Sequence, residues 1–320
     1  MFNNAINKKV VKQFTNNILM IRPVSFRYND QTAVNNYYQH SLNNLSSDKV
    51  QQKALLEFDN LVKKLESVGV NVIVFEDTKD PDTPDAVFPN NWVSFHADGT
   101  IVLYPMYAKN RRSERRDDIF DFLVDESGFQ IEKIKDLTLF EQQSKYLEGT
   151  GSMVLDREHK ICYAAISIRT DKFAVMQFCQ EFAYRPVCFS ANQDVNGKRK
   201  SIYHTNVMMC VADKFVIICL EAIDDQNERK YVVETLVETG KEIIEITQEQ
   251  KNRFAGNMLQ VMGDKPYLVM SNSAFNSLDD KQKNTIEKYS SIICSSLSVI
   301  EECGGGSARC MMAEVFLPKK

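Results

Sequence analysis

His204-Thr205-Asn206-Val207-Met208-Met209-Cys210-Val211-Ala212-Asp213-Lys214-Phe215-Val216-Ile217-Ile218-Cys219-Leu220 is the stretch whose reading decides the fold. It opens on an ionisable side chain. Two short apolar runs follow, Val207–Val211 and Phe215–Leu220, parted by the polar pair Asp213-Lys214. Runs of that length around turn residues read as a β-hairpin. A helical stretch, Glu228–Thr239, comes next.

The same order recurs on either side. Upstream lie the hairpins Trp92–Phe95 with Ile101–Tyr104, around Ala97-Asp98-Gly99, and Met153–Leu155 with Ile161–Ala165. Downstream lies Met258–Val261 with Tyr267–Met270. A last strand, Cys310–Phe316, opens a fifth copy and is placed to pair with the N-terminal strand Asn17–Ile21. These units begin near residues 92, 153, 207, 258 and 310, a spacing of 51 to 61 residues. Helices are predicted between them, at Ser113–Glu126, Asp171–Phe182, Glu228–Thr239 and Ser277–Tyr289. Another runs from an Asp48 N-cap to Val68, with Ala54, Phe58, Leu61 and Leu65 at helical spacing; Gly69 stops it before a strand at Val70–Phe75. A near-constant period of this length marks a pseudo-symmetric array. The predicted fold class is therefore α/β, with five ββαβ units closing on an axis as a five-bladed propeller, in one catalytic domain over residues 1–320.

Bulk properties narrow the function. The 320 residues are 43% hydrophobic and carry a net charge of −4, enough apolar material for a real core. That charge gives no electrostatic reason to expect nucleic acid or an anionic membrane as partner. Residues Met1–Val11 lack the apolar core of a signal peptide, and Val207–Leu220 is too short and too interrupted to span a bilayer. A cytoplasmic location is expected. The eight cysteines form no C-x-x-C pair and only four histidines are present, so no metal site is expected.

The reactive residues sit just before the hairpins. They are Asp85 with Asn90-Asn91, then Glu148, His204, Asn257 and Cys310. In a closed array these places converge, so a carboxylate, an imidazole and a thiol would share one pocket. Cys310 follows the run Gly304-Gly305-Gly306-Ser307-Ala308-Arg309, which lets the backbone pass close to a ligand. No Gly-Lys-Ser/Thr follows, which excludes a P-loop. The other seven cysteines read as structural thiols. His40, His96 and His159 read as solvated.

These segments resemble the guanidine-modifying superfamily, which has the pentein fold. The resemblance spans the chain: Pro84-Asp85-Ala86-Val87-Phe88-Pro89-Asn90-Asn91, Asn110-Arg111-Arg112-Ser113-Glu114, Leu147-Glu148-Gly149-Thr150-Gly151, Ser167-Ile168-Arg169-Thr170, His204-Thr205-Asn206, Phe254-Ala255-Gly256-Asn257 and Gly304-Gly305-Gly306 with Cys310. The resemblance implies that Cys310 is the nucleophile, His204 the general acid/base and Glu148 the carboxylate that orients it. It implies that Asp85 binds the terminal N–H groups of the substrate, with Phe88, Asn90, Asn91 and Asn206 beside it. Arg111 and Arg169 resemble arginines that clamp an α-carboxylate, though the sequence leaves open whether Arg111 or Arg112 faces inward.

Two departures bear on the substrate. Dimethylarginine hydrolases carry a Glu-Asp pair where Asn90-Asn91 stands, and arginine deiminases carry an aspartate where Asn206 stands. A guanidinium offers only donors, so acids grip it; an amide both donates and accepts, which suits a neutral ureido group. The chain thus looks closest to the citrulline ureidase (citrulline utilization hydrolase) branch. The implied reaction converts citrulline and water to ornithine, carbon dioxide and ammonia through a covalent thiol intermediate. Hydrolysis of a guanidinium, as in arginine deiminases or dimethylarginine hydrolases, is the alternative. No cofactor is implied. The expected partner is a small amino-acid substrate, and a homo-oligomer is left open.

Overall fold

The computed structural model describes residues 12–42 and 44–320. The signal-peptide reading of residues 1–11 lies outside them. The architecture is mixed α/β, built from small sheets. Strands β1 (Asn17–Arg22) and β2 (Asn71–Glu76) pair in parallel. Strands β3 (Val93–Phe95), β4 (Thr100–Leu103) and β5 (Lys133–Asp136) form the next sheet, followed by β6 (Val154–Asp156), β7 (Ile161–Ala165) and β8 (Arg185–Phe189). A two-stranded ribbon, β9 (Asn192–Val195) with β10 (Lys198–Ser201), interrupts the series. Then come β11 (Met209–Val211), β12 (Phe215–Ile218) and β13 (Glu242–Glu245), and β14 (Leu259–Met262), β15 (Pro266–Ser271) and β16 (Ser291–Ser295). Strand β17 (Ala313–Glu314) pairs antiparallel with β1, as the sequence implied.

Each three-stranded sheet thus has one antiparallel and one parallel pairing around its central strand. The central strands β7, β12 and β15 are apolar and buried along nearly their whole length, on both faces. No sheet among the described residues closes on itself. The predicted period is visible in the repeated strand order.

Helix Ser47–Glu66 buries Val50, Ala54, Phe58, Leu61, Val62 and Leu65 against β16 and the helix Ser298–Gly304. Its N-cap is Ser46, whose hydroxyl accepts from the Lys49 N–H; the predicted cap, Asp48, lies inside the first turn. The predicted helix Ser113–Glu126 divides into a 3₁₀ turn, Lys109–Glu114, and a helix, Asp118–Asp125. The predicted helix Ser277–Tyr289 divides as well, into Asn272–Ser277 and Asp280–Glu287, where Asp279 starts the second with a capping box. His96 is a correction. It is buried, bonded to the Ser94 hydroxyl at 2.9 Å and stacked on Phe182. No helix among the described residues is long and apolar enough to cross a membrane.

The turns before the hairpins carry the polar residues, and neighbouring turns touch. Pro89–Asn91 packs on Gly149–Ser152, which packs on Thr205–Val207. Asn257 bonds to the backbone of Asn206 and of Arg309. The turn Ala308–Met311 packs back on Pro89–Asn91. Cys310 lies in that turn, ahead of the strand that was predicted to contain it.

Candidate active site

Where these turns meet, Asp85, Phe88, Asn91, Arg111, Arg169, His204 and Cys310 line a cavity of about 10 Å³. That is room for about one water. Thr32, Asn36 and Tyr203 complete much of its wall. A wider cleft of about 700 Å³, between residues 33–40, 193–196 and 252–254, contains none of the predicted reactive groups.

Glu148 and His204 are both buried and directly bonded, with His204 Nε2 at 2.8 Å from Glu148 Oε2. The Tyr107 backbone N–H donates to Glu148 Oε1 at 2.9 Å, and Arg169 Nη1 lies 3.5 Å from Oε2. Burial opposes the Glu148 charge, but Arg169 and His204 outweigh it and hold the carboxyl far below its ordinary range. An ionised carboxylate only accepts, so Nε2 carries the ring proton and Nδ1 keeps its lone pair. Burial lowers His204 to about 4, against the pull of Glu148, so the resting ring is neutral. Gly151 makes space for that ring: a Cβ there would stand 2.7 Å from Nδ1 and 2.5 Å from Asn91 Nδ2.

Cys310 is 3% exposed. Two side-chain amides donate to its Sγ, Asn206 Nδ2 at 3.4 Å and Asn257 Nδ2 at 3.3 Å. Phe88 packs against Gly304 and Gly306, on the loop that presents the thiol.

Asp85 is buried, and its Oδ2 accepts from Asn29 at 2.8 Å and Thr32 at 3.1 Å. Its Oδ1 has no partner. Burial raises the Asp85 pKa, against the nearby Arg111. Arg111 points inward. Arg112 turns away to Glu141 and the Met106 carbonyl. Arg111 forms a two-pronged pair with Glu114, both bonds 2.8 Å, and gives Nη1 to Asn91 Oδ1 at 2.8 Å. Burial works against its charge, but Glu114 more than restores it. Arg169 bonds Asn35 Oδ1 through Nε at 2.7 Å and also through Nη2, and the Thr32 carbonyl through Nη2 at 2.7 Å.

Seven of the ten predicted site residues line the cavity, and Glu148 stands behind His204, bonded to it. Asn206 reaches the thiol without lining the cavity. Asn90 does not line the cavity either: its amide donates to the Thr150 hydroxyl at 3.3 Å and accepts from Asn91 at 3.1 Å. Asn91 is partly spent, on Arg111 and Asn90. Sequence reasoning missed three contributors. Asn257 had been marked by its place before a hairpin but given no role. Glu114 sits one turn from Arg111 and was quoted without a function. The segment 29–36 carried no signal beyond its polar composition. Among the described residues no group of His, Cys, Asp or Glu is arranged to hold a metal ion.

Comparison with known proteins agrees with this geometry. No curated protein matches the chain. Solved structures do. The apo structure of ArgZ, an arginine dihydrolase from the ornithine-ammonia cycle in cyanobacteria, superimposes with a TM-score of 0.72 at 18% identity. That match covers 95% of this chain and 41% of ArgZ, so the chain spans less than half of that protein's length. The product-bound N-terminal domain of ArgZ matches with a TM-score of 0.69 at 20% identity, covering 94% of this chain and 99% of that one. A dimethylarginine dimethylaminohydrolase adduct with S-methyl-L-thiocitrulline matches with a TM-score of 0.62 at 14% identity, covering 93% and 98%. The fold is thus close to the pentein-type neighbours. The family model of the eukaryotic N,N dimethylarginine dimethylhydrolases matches residues 22–317. That match runs from the end of β1 past β17, across every turn that meets at the cavity, and the chain accordingly belongs to this family.

Proposed function

We propose that the chain is a cysteine hydrolase that cleaves the ureido end of citrulline to ornithine, carbon dioxide and ammonia. On this reading its five three-stranded sheets are the blades of a five-bladed propeller, and one domain carries the whole site. The observation that carries the substrate choice is the set of groups around Cys310 Sγ. Two amides flank it, and Asp85, a carboxylate lining the cavity whose Oδ1 has no partner among the described residues, has its pKa raised by burial. A neutral end group fits such surroundings better than a cation, which would ask for ionised acids at close range.

Cys310 gives its proton to Nδ1 of the neutral His204, and Sγ attacks the ureido carbon. The oxygen charge that develops is met by amide donors; Asn91 keeps one N–H beyond its bond to Asn90, and a well-aimed donor contributes roughly 2.7–4 kcal/mol. His204 returns its proton to the departing nitrogen. If ornithine leaves first, Cys310 holds a carbamoyl thioester. His204 then takes a proton from water, hydroxide adds to that carbon, and the C–S bond breaks. The carbamate released gives carbon dioxide and ammonia. Arg169 is the proposed carboxylate clamp. In the closed site the Thr32 carbonyl and Asn35 Oδ1 occupy its fork, where a substrate α-carboxylate would replace them.

A second reading, hydrolysis of arginine or a methylarginine, is favoured by the unpartnered Asp85 Oδ1, an acceptor for guanidinium N–H. The N-terminal domain of ArgZ, named for an arginine dihydrolase, is described as covalently bound to a reaction intermediate, which supports covalent chemistry on this fold. Incubation with citrulline and with arginine separately decides between the readings. Ornithine and ammonia from citrulline support the first. Turnover of arginine alone, with citrulline accumulating, contradicts it.

A further inference from the structure

We infer that Asn257 is a positioning residue for the nucleophile, fixing Cys310 Sγ and donating to it as the sulfur takes on charge. The inference rests on Cys310 being the nucleophile, and it concerns a residue outside the Cys310–His204–Glu148 set.

The argument is one of hydrogen-bond capacity. An asparagine amide has two donor hydrogens and an acceptor oxygen. The Asn257 oxygen accepts from the Arg309 backbone N–H at 3.1 Å. One Nδ2 hydrogen goes to the Asn206 carbonyl at 3.1 Å, and Nδ2 also stands 3.3 Å from Cys310 Sγ. The backbone partners fix which end is which. Flipping the amide would set its oxygen against the Asn206 carbonyl and the sulfur, and would leave the Arg309 N–H facing an NH₂ group. The donor aimed at Sγ is therefore held by two backbone groups on two different turns. Asn206 makes a contrast. It also donates to Sγ, at 3.4 Å, but its Oδ1 is buried without a partner among the described residues, so its amide is not held from the other side.

Asn257 is 1% exposed and sits two residues before β14. Its three bonds tie the turn of Asn206 to the turn of Cys310, so one side chain both sets the sulfur's position and supplies a donor. A donor to an ionised acceptor is worth more than one to a neutral group, so its effect grows as the thiol loses its proton.

The test is the pH dependence of Cys310 alkylation by iodoacetamide, followed by peptide mass spectrometry in the full chain. Asn257→Asp keeps the acceptor for Arg309 but turns the donor at Sγ into an acceptor. Its alkylation midpoint should move up by about one pH unit or more, with kcat reduced at least tenfold and KM changed less. Asn257→Ala, which adds no charge, should move the midpoint the same way by a smaller amount and serves if the aspartate variant does not fold. Midpoints equal to the native protein's in a folded variant overturn the inference and leave the nucleophile reading intact. If native Cys310 is alkylated no faster than the other thiols, both fall.

Discussion

His204 sets the acid side of the chemistry. Its pKa is lowered to about 4 by burial, so the ring remains neutral where an ordinary histidine has begun to charge. The acid limb of kcat/KM should therefore fall below pH 6.5, toward 4. Glu148 raises the His204 pKa, so Glu148→Gln should move that limb lower still while reducing kcat. A limb at or above 6.5 would contradict the burial argument. The same shift has a stability consequence. With the folded pKa below the unfolded one, the native state binds fewer protons between about 4 and 6.5. Stability from this group is complete above 6.5 and declines as pH falls through that window, by at most roughly 3 kcal/mol. Urea unfolding at pH 7 and pH 5 should show a pH-dependent loss that is smaller in His204→Gln. Asn206 tests the substrate at the same scale. Asn206→Asp places an acid beside Sγ and should lower citrulline turnover at least tenfold while tightening arginine binding. Unchanged selectivity would remove the amides from the argument.

At the scale of elements, short turns rather than strands carry the site. Gly149 has φ 48°, and a Cβ there would stand 2.2 Å from the Asn90 carbonyl, so this turn can approach its neighbour only as glycine. Two residues on, Gly151 leaves space for His204 and Asn91. Gly151→Ala should keep native secondary structure by circular dichroism and lose about 100-fold in kcat, because the imidazole must shift. The segment around Asp30–Ala33 is the second such element. Through Thr32, Asn35 and Asn36 it bonds Asp85, Arg169 and the carbonyls of Gly304 and Gly305. The cavity has room for about one water, so on the proposed reading this segment is the one expected to move when an amino acid enters. Amide hydrogen exchange over residues 30–39 should be faster than in β12 and should slow when ornithine is bound. Equal protection with and without ligand would contradict that role.

Across the whole molecule, the sequence displayed the repeat more clearly than the site. Apolar pairs such as Val207–Val211 with Phe215–Leu220 announce hairpins because strand burial depends on local pattern. Spacing then put Glu148, His204 and Cys310 in equivalent places, and the structure brings them together. Other features depend on contacts that spacing does not encode. Nothing in Arg111-Arg112 shows that the first pairs with Glu114 while the second faces Glu141. Nor does anything in Asn90-Asn91 show that the second lines the cavity while the first turns to Thr150. Asn29, Thr32 and Asn35 lie more than 100 residues before His204 and reach the site only because the chain folds back over it. The ribbon β9–β10 was not foreseen, since β10 is exposed and charged and neither strand has the apolar runs that mark the others.

The central claim is that Cys310 becomes covalently attached to the carbon it attacks. The most direct measurement is rapid acid quench during citrulline turnover, followed by mass spectrometry of the Cys310 peptide. A transient adduct of a carbamoyl or substrate-derived carbamoyl group on Cys310, absent in Cys310→Ala together with all turnover, is the predicted result. Native-like turnover by Cys310→Ala, or an adduct on a different residue, would contradict it.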